Sequence, residues 1–173
     1  MTRPHLPVLS VIFLVCLFLA GPVLAVETGA TAPDFKLKTV EGKKVRLSDY
    51  RGQVIVLKLA TTWCPTCKEQ TAEIKKAGEF LKENKVAVVE VFLQDSESMV
   101  RDFLAEENYP MPFVALLDDG SALEAYNVYL IPRLVLIDRD FIVRRDGSLM
   151  EAEDLLREVG KLVAKKDSAK KDS

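Results

Sequence analysis

Two apolar runs, VIVLKLA at 54–60 and VAVVEVFL at 86–93, constrain this chain more than any other feature. Both are rich in Val and Leu, and each carries one charge, Lys58 in the first and Glu90 in the second. Short continuous apolar runs of this kind belong to strands buried on both faces. Between them Ile74, Ala77, Phe80 and Leu81 recur at helical spacing, in a helix that starts around Cys64 and stops near Asn84.

The rest of the chain continues the alternation. FKLKTV and KKVRLSDY, joined by Glu41-Gly42, read as a hairpin that precedes the first buried strand. SMVRDFLAEEN reads as a short amphipathic helix, PFVALLD as a third strand and SALEAYNV as a helical turn. RLVLID and FIVRRDG form a terminal hairpin, and EAEDLLREVGKLVAKK closes the domain with an amphipathic helix. The class is therefore α/β with a mixed sheet. One domain spans 26–163, and the repeated polar unit AKKDS predicts a solvated tail without packed structure over 164–173.

Residues 1–25 stand apart. Arg3, the apolar run 8–20, Gly21-Pro22 and a small-residue ending at Ala25 have the pattern of a secretory signal, with an uncleaved anchor as its rival. Removing this leader takes away Cys16 and the only histidine, His5, and leaves Cys64 and Cys67 as the cysteines of the mature protein. An extracytoplasmic location, in a bacterial periplasm or tethered to the outer side of the membrane, places both thiols where disulfides persist. The formal charge of -2 gives no cationic excess for nucleic acid. A monomer is the expected state, because no exposed apolar helix stands out.

Cys64 and Cys67 form a CxxC in TTWCPTCKE, at the end of a buried strand and the start of a helix. The helix N-terminus offers unpaired N–H groups and positive dipole, which stabilise a thiolate on Cys64. Cys67, almost one turn further in, is placed to attack a mixed disulfide and release the substrate. Pro65 suits the first helical turn, and Trp63 covers the pair while offering contact surface. A zinc site needs about four ligands, and without a histidine or third cysteine the mature chain leaves only an intermolecular or carboxylate-assisted zinc site. The expected redox group is the disulfide itself, with no further cofactor.

APDF at 32–35, the WCPTC centre with Thr66, and the stretch Tyr129-Leu130-Ile131-Pro132 resemble the extracytoplasmic thioredoxin-like oxidoreductases related to the cytochrome c maturation reductases, over roughly 28–163. The resemblance implies a thioredoxin fold with an N-terminal β-hairpin extension and a central strand–helix insertion. It also implies that Pro132 is cis and faces the dithiol, so that Ile131 presents its backbone to a substrate chain. Three positions depart from the pattern: Lys58 stands where thioredoxins keep a buried acid, Gln70 where many relatives have glutamate, and Ala72 where proline is common. A lysine inside an apolar strand needs a partner, and Glu90 is the lone charge of the neighbouring strand. One reading places the pair beneath Cys67, handling its proton; the other has Lys58 snorkelling to the surface and Glu90 at a strand edge.

The function implied is thiol–disulfide exchange with partner proteins, reducing disulfides such as that of an apocytochrome c with electrons from a membrane thiol carrier. A thiol peroxidase shares the APDF opening, and Thr61 stands three residues before Cys64, but Leu57 occupies the place of the expected proline. A two-coordinate Cu(I) module is a third reading, and a scaffold that binds without turnover a fourth.

Overall fold

The computed structural model describes residues 26–171, with side chains described through Ala164. The expected signal, with Cys16 and His5, lies outside the described residues. The elements in chain order are β1 (Lys36–Thr39), β2 (Lys44–Arg46), β3 (Ile55–Ala60), α1 (Pro65–Lys76), α2 (Gly78–Glu83), β4 (Ala87–Phe92) and α3 (Glu97–Glu106), then β5 (Phe113–Leu117), α4 (Ser121–Ala125), β6 (Arg133–Ile137), β7 (Val143–Gly147) and α5 (Ala152–Lys171). No helix among the described residues is long and apolar enough to cross a membrane.

The strands form one sheet in the order β2-β1-β5-β4-β3-β6-β7. β3 runs parallel to β4 and antiparallel to β6, and every residue of β3 and β4 is buried, which is why both read as unbroken apolar runs. Successive side chains alternate between two cores. Leu57, Leu59, Val89, Val91 and Val135 face Phe35, Leu47 and Tyr126 on one side. Val56, Val88, Leu134 and Leu136 face Ile74, Leu81, Leu155 and Val159 of the helices on the other. The expected thioredoxin architecture is present: β3-α1-β4 and β6-β7-α5 are its halves, β1-β2 is the hairpin extension, and α3-β5-α4 is the insertion. β5 adds a parallel strand beside β4, and β1 pairs antiparallel outside it.

Three elements differ from the sequence reading. The hairpin strand read over KKVRLSDY is extended only over Lys44–Arg46, and Leu47–Tyr50 turns into a short 3-10 helix. The helix expected from Cys64 to Asn84 is interrupted at Ala77, whose ψ of -2 ends α1 before α2 begins. Gly78 lies under Pro110, and a Cβ there would sit 2.4 Å from the proline Cγ, so the chain is drawn close to the 109–111 loop at this point. The final helix also continues to Lys171, through most of the stretch 164–173 read as a tail without structure. Alanine and lysine are strong helix formers, and a helix already nucleated on the core propagates readily through them.

Candidate active site

Cys64 is the N-cap residue of α1. Its extended backbone ends the β3 loop, and its Sγ accepts the Cys67 N–H at 3.2 Å, the bond an N-cap oxygen would make. Thr66 adds a hydroxyl 3.3 Å from the same sulfur, and Pro65 occupies the first helical position. Both cysteines are reduced and buried, Cys64 at 6% exposure and Cys67 at 1%. Burial works to raise the Cys64 pKa, but the hydrogen bonds from Cys67 and Thr66 outweigh it and hold the thiol below its ordinary value. For Cys67 burial and the bond to the Cys64 sulfur act together, and its pKa is pushed up to about 12. The hydrogen bonds thus favour the thiolate form on Cys64, and burial favours the protonated form on Cys67.

The surroundings of Cys64 are apolar and open. Ile131 packs against Cys64, Cys67 and Ala60, and the Ile131–Pro132 peptide is cis. Trp63, Tyr129 and Leu130 are 62%, 83% and 81% exposed, more than any other large apolar side chain among the described residues. A hollow of about 440 Å³ is lined by Tyr129, Leu130, Pro132, Arg133 and Asp146.

Two braces hold these segments, and neither has a motif in the sequence. Asp95, beyond the end of β4, accepts from Thr62 N at 2.8 Å and from Thr62 Oγ1 at 3.0 Å, so it fixes the loop that carries Trp63. Arg133 donates to the carbonyls of Tyr126 and Asn127 and to the Asp146 carboxylate, which holds the chain leading into Ile131-Pro132.

Beneath the dithiol, Lys58 and Glu90 are direct register partners on β3 and β4, and Nζ meets Oε1 at 2.6 Å with both side chains almost fully buried. Lys58 Nζ also donates to Thr71 Oγ1, and that hydroxyl donates to the Cys67 carbonyl at 3.1 Å, so α1 is tied to the pair one turn below Cys67. Burial raises the Glu90 pKa against the lowering influence of Lys58. Gln70 lies elsewhere: its amide accepts from Met150 N at 2.7 Å and donates to Met150 O at 3.1 Å. Only an amide can make both bonds, which explains a glutamine at this position. Ala72 lets α1 run unbroken to Lys76. Among the described residues no group of three or more His, Cys, Asp or Glu is placed to hold a metal ion.

A family model described as Redoxin matches residues 27–158. The chain is 33% identical over 135 residues to thiol-disulfide oxidoreductase ResA of Geobacillus kaustophilus, covering 77% of this chain and 76% of that relative. Among solved structures it is similar to a thiol:disulfide interchange protein DsbE of Chlorobium tepidum, with TM-score 0.71 and 27% identity over 80% of this chain and 99% of the other. It is also similar to a thioredoxin of Streptococcus pneumoniae described as an exposed lipoprotein, with TM-score 0.63 and 26% identity over 75% and 99% of the two chains.

Proposed function

Because the chain belongs to the redoxin family and is a thioredoxin-like thiol–disulfide oxidoreductase, we propose that it works outside the cytoplasm, reducing disulfides in partner proteins. The observation that carries this reading is a dithiol with one sulfur at a helix N-terminus and Ile131 packed against it, with exposed apolar side chains on the adjoining chain at Trp63, Tyr129 and Leu130. A small disulfide needs no such apolar rim, whereas a polypeptide buries it on docking.

The Cys64 thiolate attacks one sulfur of the partner's disulfide, forms a mixed disulfide and expels the partner's other sulfur as a thiolate, which takes a proton from water. Cys67 then loses its proton and attacks Cys64 Sγ. The Cys64–Cys67 bond forms, the bond to the partner breaks, and the partner leaves with two thiols. The backbone at Ile131 aligns the partner chain beside Cys64 as an added strand. Residues 1–25 direct export. An apocytochrome c CxxCH disulfide fits as substrate, and a membrane thiol carrier as the source of the two electrons that return the enzyme to its dithiol form.

The deciding measurement is the equilibrium potential of the Cys64/Cys67 couple in glutathione and dithiothreitol mixtures, followed by fluorescence of Trp63, the only tryptophan. A value near that of thioredoxin, about -270 mV, is expected. One near -120 mV, roughly that of a dedicated oxidant, overturns the direction.

A further inference from the structure

The hairpin β1-β2 is cationic in a chain that is not. Residues 36–46 hold Lys36, Lys38, Lys43, Lys44 and Arg46 against Glu41 alone, although the formal charge of the whole chain is -2. Leu37 and Val45 face the core with Phe35 and Tyr126. Alternation along the strands therefore turns Lys36, Lys38, Lys44 and Arg46 to the opposite side, where all four are exposed. The register sets Lys36 against Arg46 and Lys38 against Lys44. Among the described residues Arg46 has Asp34 at 3.4 Å, and the three lysines have no carboxylate within ion-pair distance.

Two ordinary uses of lysine do not account for this array. Like charges directly opposite one another destabilise an antiparallel pair, so Lys38 and Lys44 weaken the hairpin rather than hold it. Lysines also guard free sheet edges, but the free edge is β2. Lys36 and Lys38 stand on β1, which is bonded to β2 on one side and to β5 on the other.

The same face is hollowed. Lys38 pairs in register with Leu117 of β5, and a cavity of about 410 Å³ is lined by Lys36, Lys38, Lys44, Leu117, Asp118 and Asp119. Both acids are engaged at the start of α4: Asp118 accepts from Ala122 N at 3.0 Å and Leu123 N at 3.4 Å, and Asp119 accepts from Ser121 N at 3.2 Å. The bond to Ser121 holds the Asp119 pKa below its ordinary value, with Lys38 a smaller cause. The cations are the unanswered charges of this face.

Their placement selects among anions. Side chains two residues apart on a strand stand about 7 Å apart, so Lys36 and Lys38 match the alternate side chains of an extended acidic polypeptide. A lipid surface or a nucleic acid carries negative charge throughout, and would bring it against Asp118 and Asp119 in the same cavity. A peptide with acids at alternate positions avoids both.

We propose that the outer face of β1-β2 docks an extended acidic segment of a protein partner, whose alternate carboxylates meet Lys36, Lys38, Lys44 and Arg46. The segment lies on the face of the hairpin and does not add to the β2 edge. β2 is four strand positions from β3, the strand that leads to the dithiol, so the two sites are roughly 20 Å apart across the sheet. About six extended residues span that distance, and one partner can hold both sites, each contact raising the effective concentration at the other. Only this use on a disulfide-bearing partner rests on the dithiol exchange proposed above; the docking itself needs no turnover.

The test is fluorescence anisotropy of a labelled, cysteine-free peptide of alternating glutamate and serine, titrated with reduced protein from Val26 onward, which holds the sheet and both cores. The wild type binds it, more weakly as salt rises, and does not bind the glutamine–serine counterpart. Lys36→Gln with Lys38→Gln lowers the affinity about tenfold and flattens the salt dependence. Lys82→Gln with Lys161→Gln removes the same charge from exposed positions on α2 and α5 and leaves both unchanged. Urea midpoints no lower than wild type show that the hairpin variant is folded. Equal losses in the two double variants, no binding of the glutamate peptide, or tighter binding to vesicles containing one-third phosphatidylglycerol overturns the proposal. Reduction of dithiobis(nitrobenzoate) by the hairpin variant stays at the wild-type rate. Failure of the wild type in that reaction overturns the oxidoreductase reading instead and leaves the docking face standing.

Discussion

Replacing Lys58 by methionine leaves the Glu90 carboxylate buried without its counter-ion, since Nζ at 2.6 Å is its charged partner and its side chain is only 3% exposed. Breaking a buried pair on one side costs about 3–5 kcal/mol. Against a total stability of about 5–15 kcal/mol that is a large share. With a urea slope of about 2 kcal/mol/M, the denaturation midpoint at pH 8 falls by roughly 2 M. The loss depends on pH, and its sign follows from Glu90. Its folded pKa is already raised above 4.5 by burial, and Lys58→Met takes away the influence that lowers it. The folded state then holds the carboxyl proton more tightly than the unfolded chain does. Stability from that proton is present below the unfolded value and is lost as pH rises from about 4.5 through the folded pKa. The variant is therefore close to wild type at pH 4 and fully destabilised at pH 8. Lys58→Met combined with Glu90→Leu removes both charges and recovers most of the loss. Urea titrations of reduced protein at the two pH values settle it. An equal loss at both, or a double variant as weak as the sum of the singles, refutes the account of a desolvated ion pair.

The opposed shifts of the two thiols predict that iodoacetamide modifies Cys64 well below pH 9 and spares Cys67 across the neutral range; peptide mapping after a short pulse reads this directly. Gln70→Glu replaces the donor to Met150 O with an acceptor and is expected to cost about 1–3 kcal/mol in chemical denaturation. Asp95→Ala frees the Thr62 loop and broadens the fluorescence response of Trp63, with a stability loss of about 1–3 kcal/mol; an unchanged anisotropy of Trp63 contradicts the brace. Tyr129→Ser with Leu130→Ser raises KM for a polypeptide partner's disulfide several-fold more than for dithiobis(nitrobenzoate), as expected if the exposed rim docks chain rather than the disulfide alone.

The parts of this molecule legible in one dimension are those written by consecutive residues. β3 and β4 announce themselves because burial on both faces demands an apolar residue at each position, and the lone charges Lys58 and Glu90 then have only each other. The dithiol and its helix are equally local, because N-cap chemistry is set within four residues. Thr71, Asp95 and Arg133 act through partners more than ten residues away in sequence, and a Thr mid-helix or an Asp in a loop has many ordinary uses. The break at Ala77 is of the same kind: it falls where Pro110, after the α3 helix, lies close over Gly78, a neighbour that no helical periodicity records.

The sheet order has a consequence for what the protein avoids. Its two free edges are β2, three residues long with Lys44 and Arg46 exposed, and β7, whose exposed Arg144 follows a start already bonded to the 29–31 segment through Val143. Short, cationic or occupied edges discourage a stray extended chain from adding itself as a strand. A thiol–disulfide oxidoreductase with edges of this kind is thereby protected from being templated into aggregates by stray extended chains.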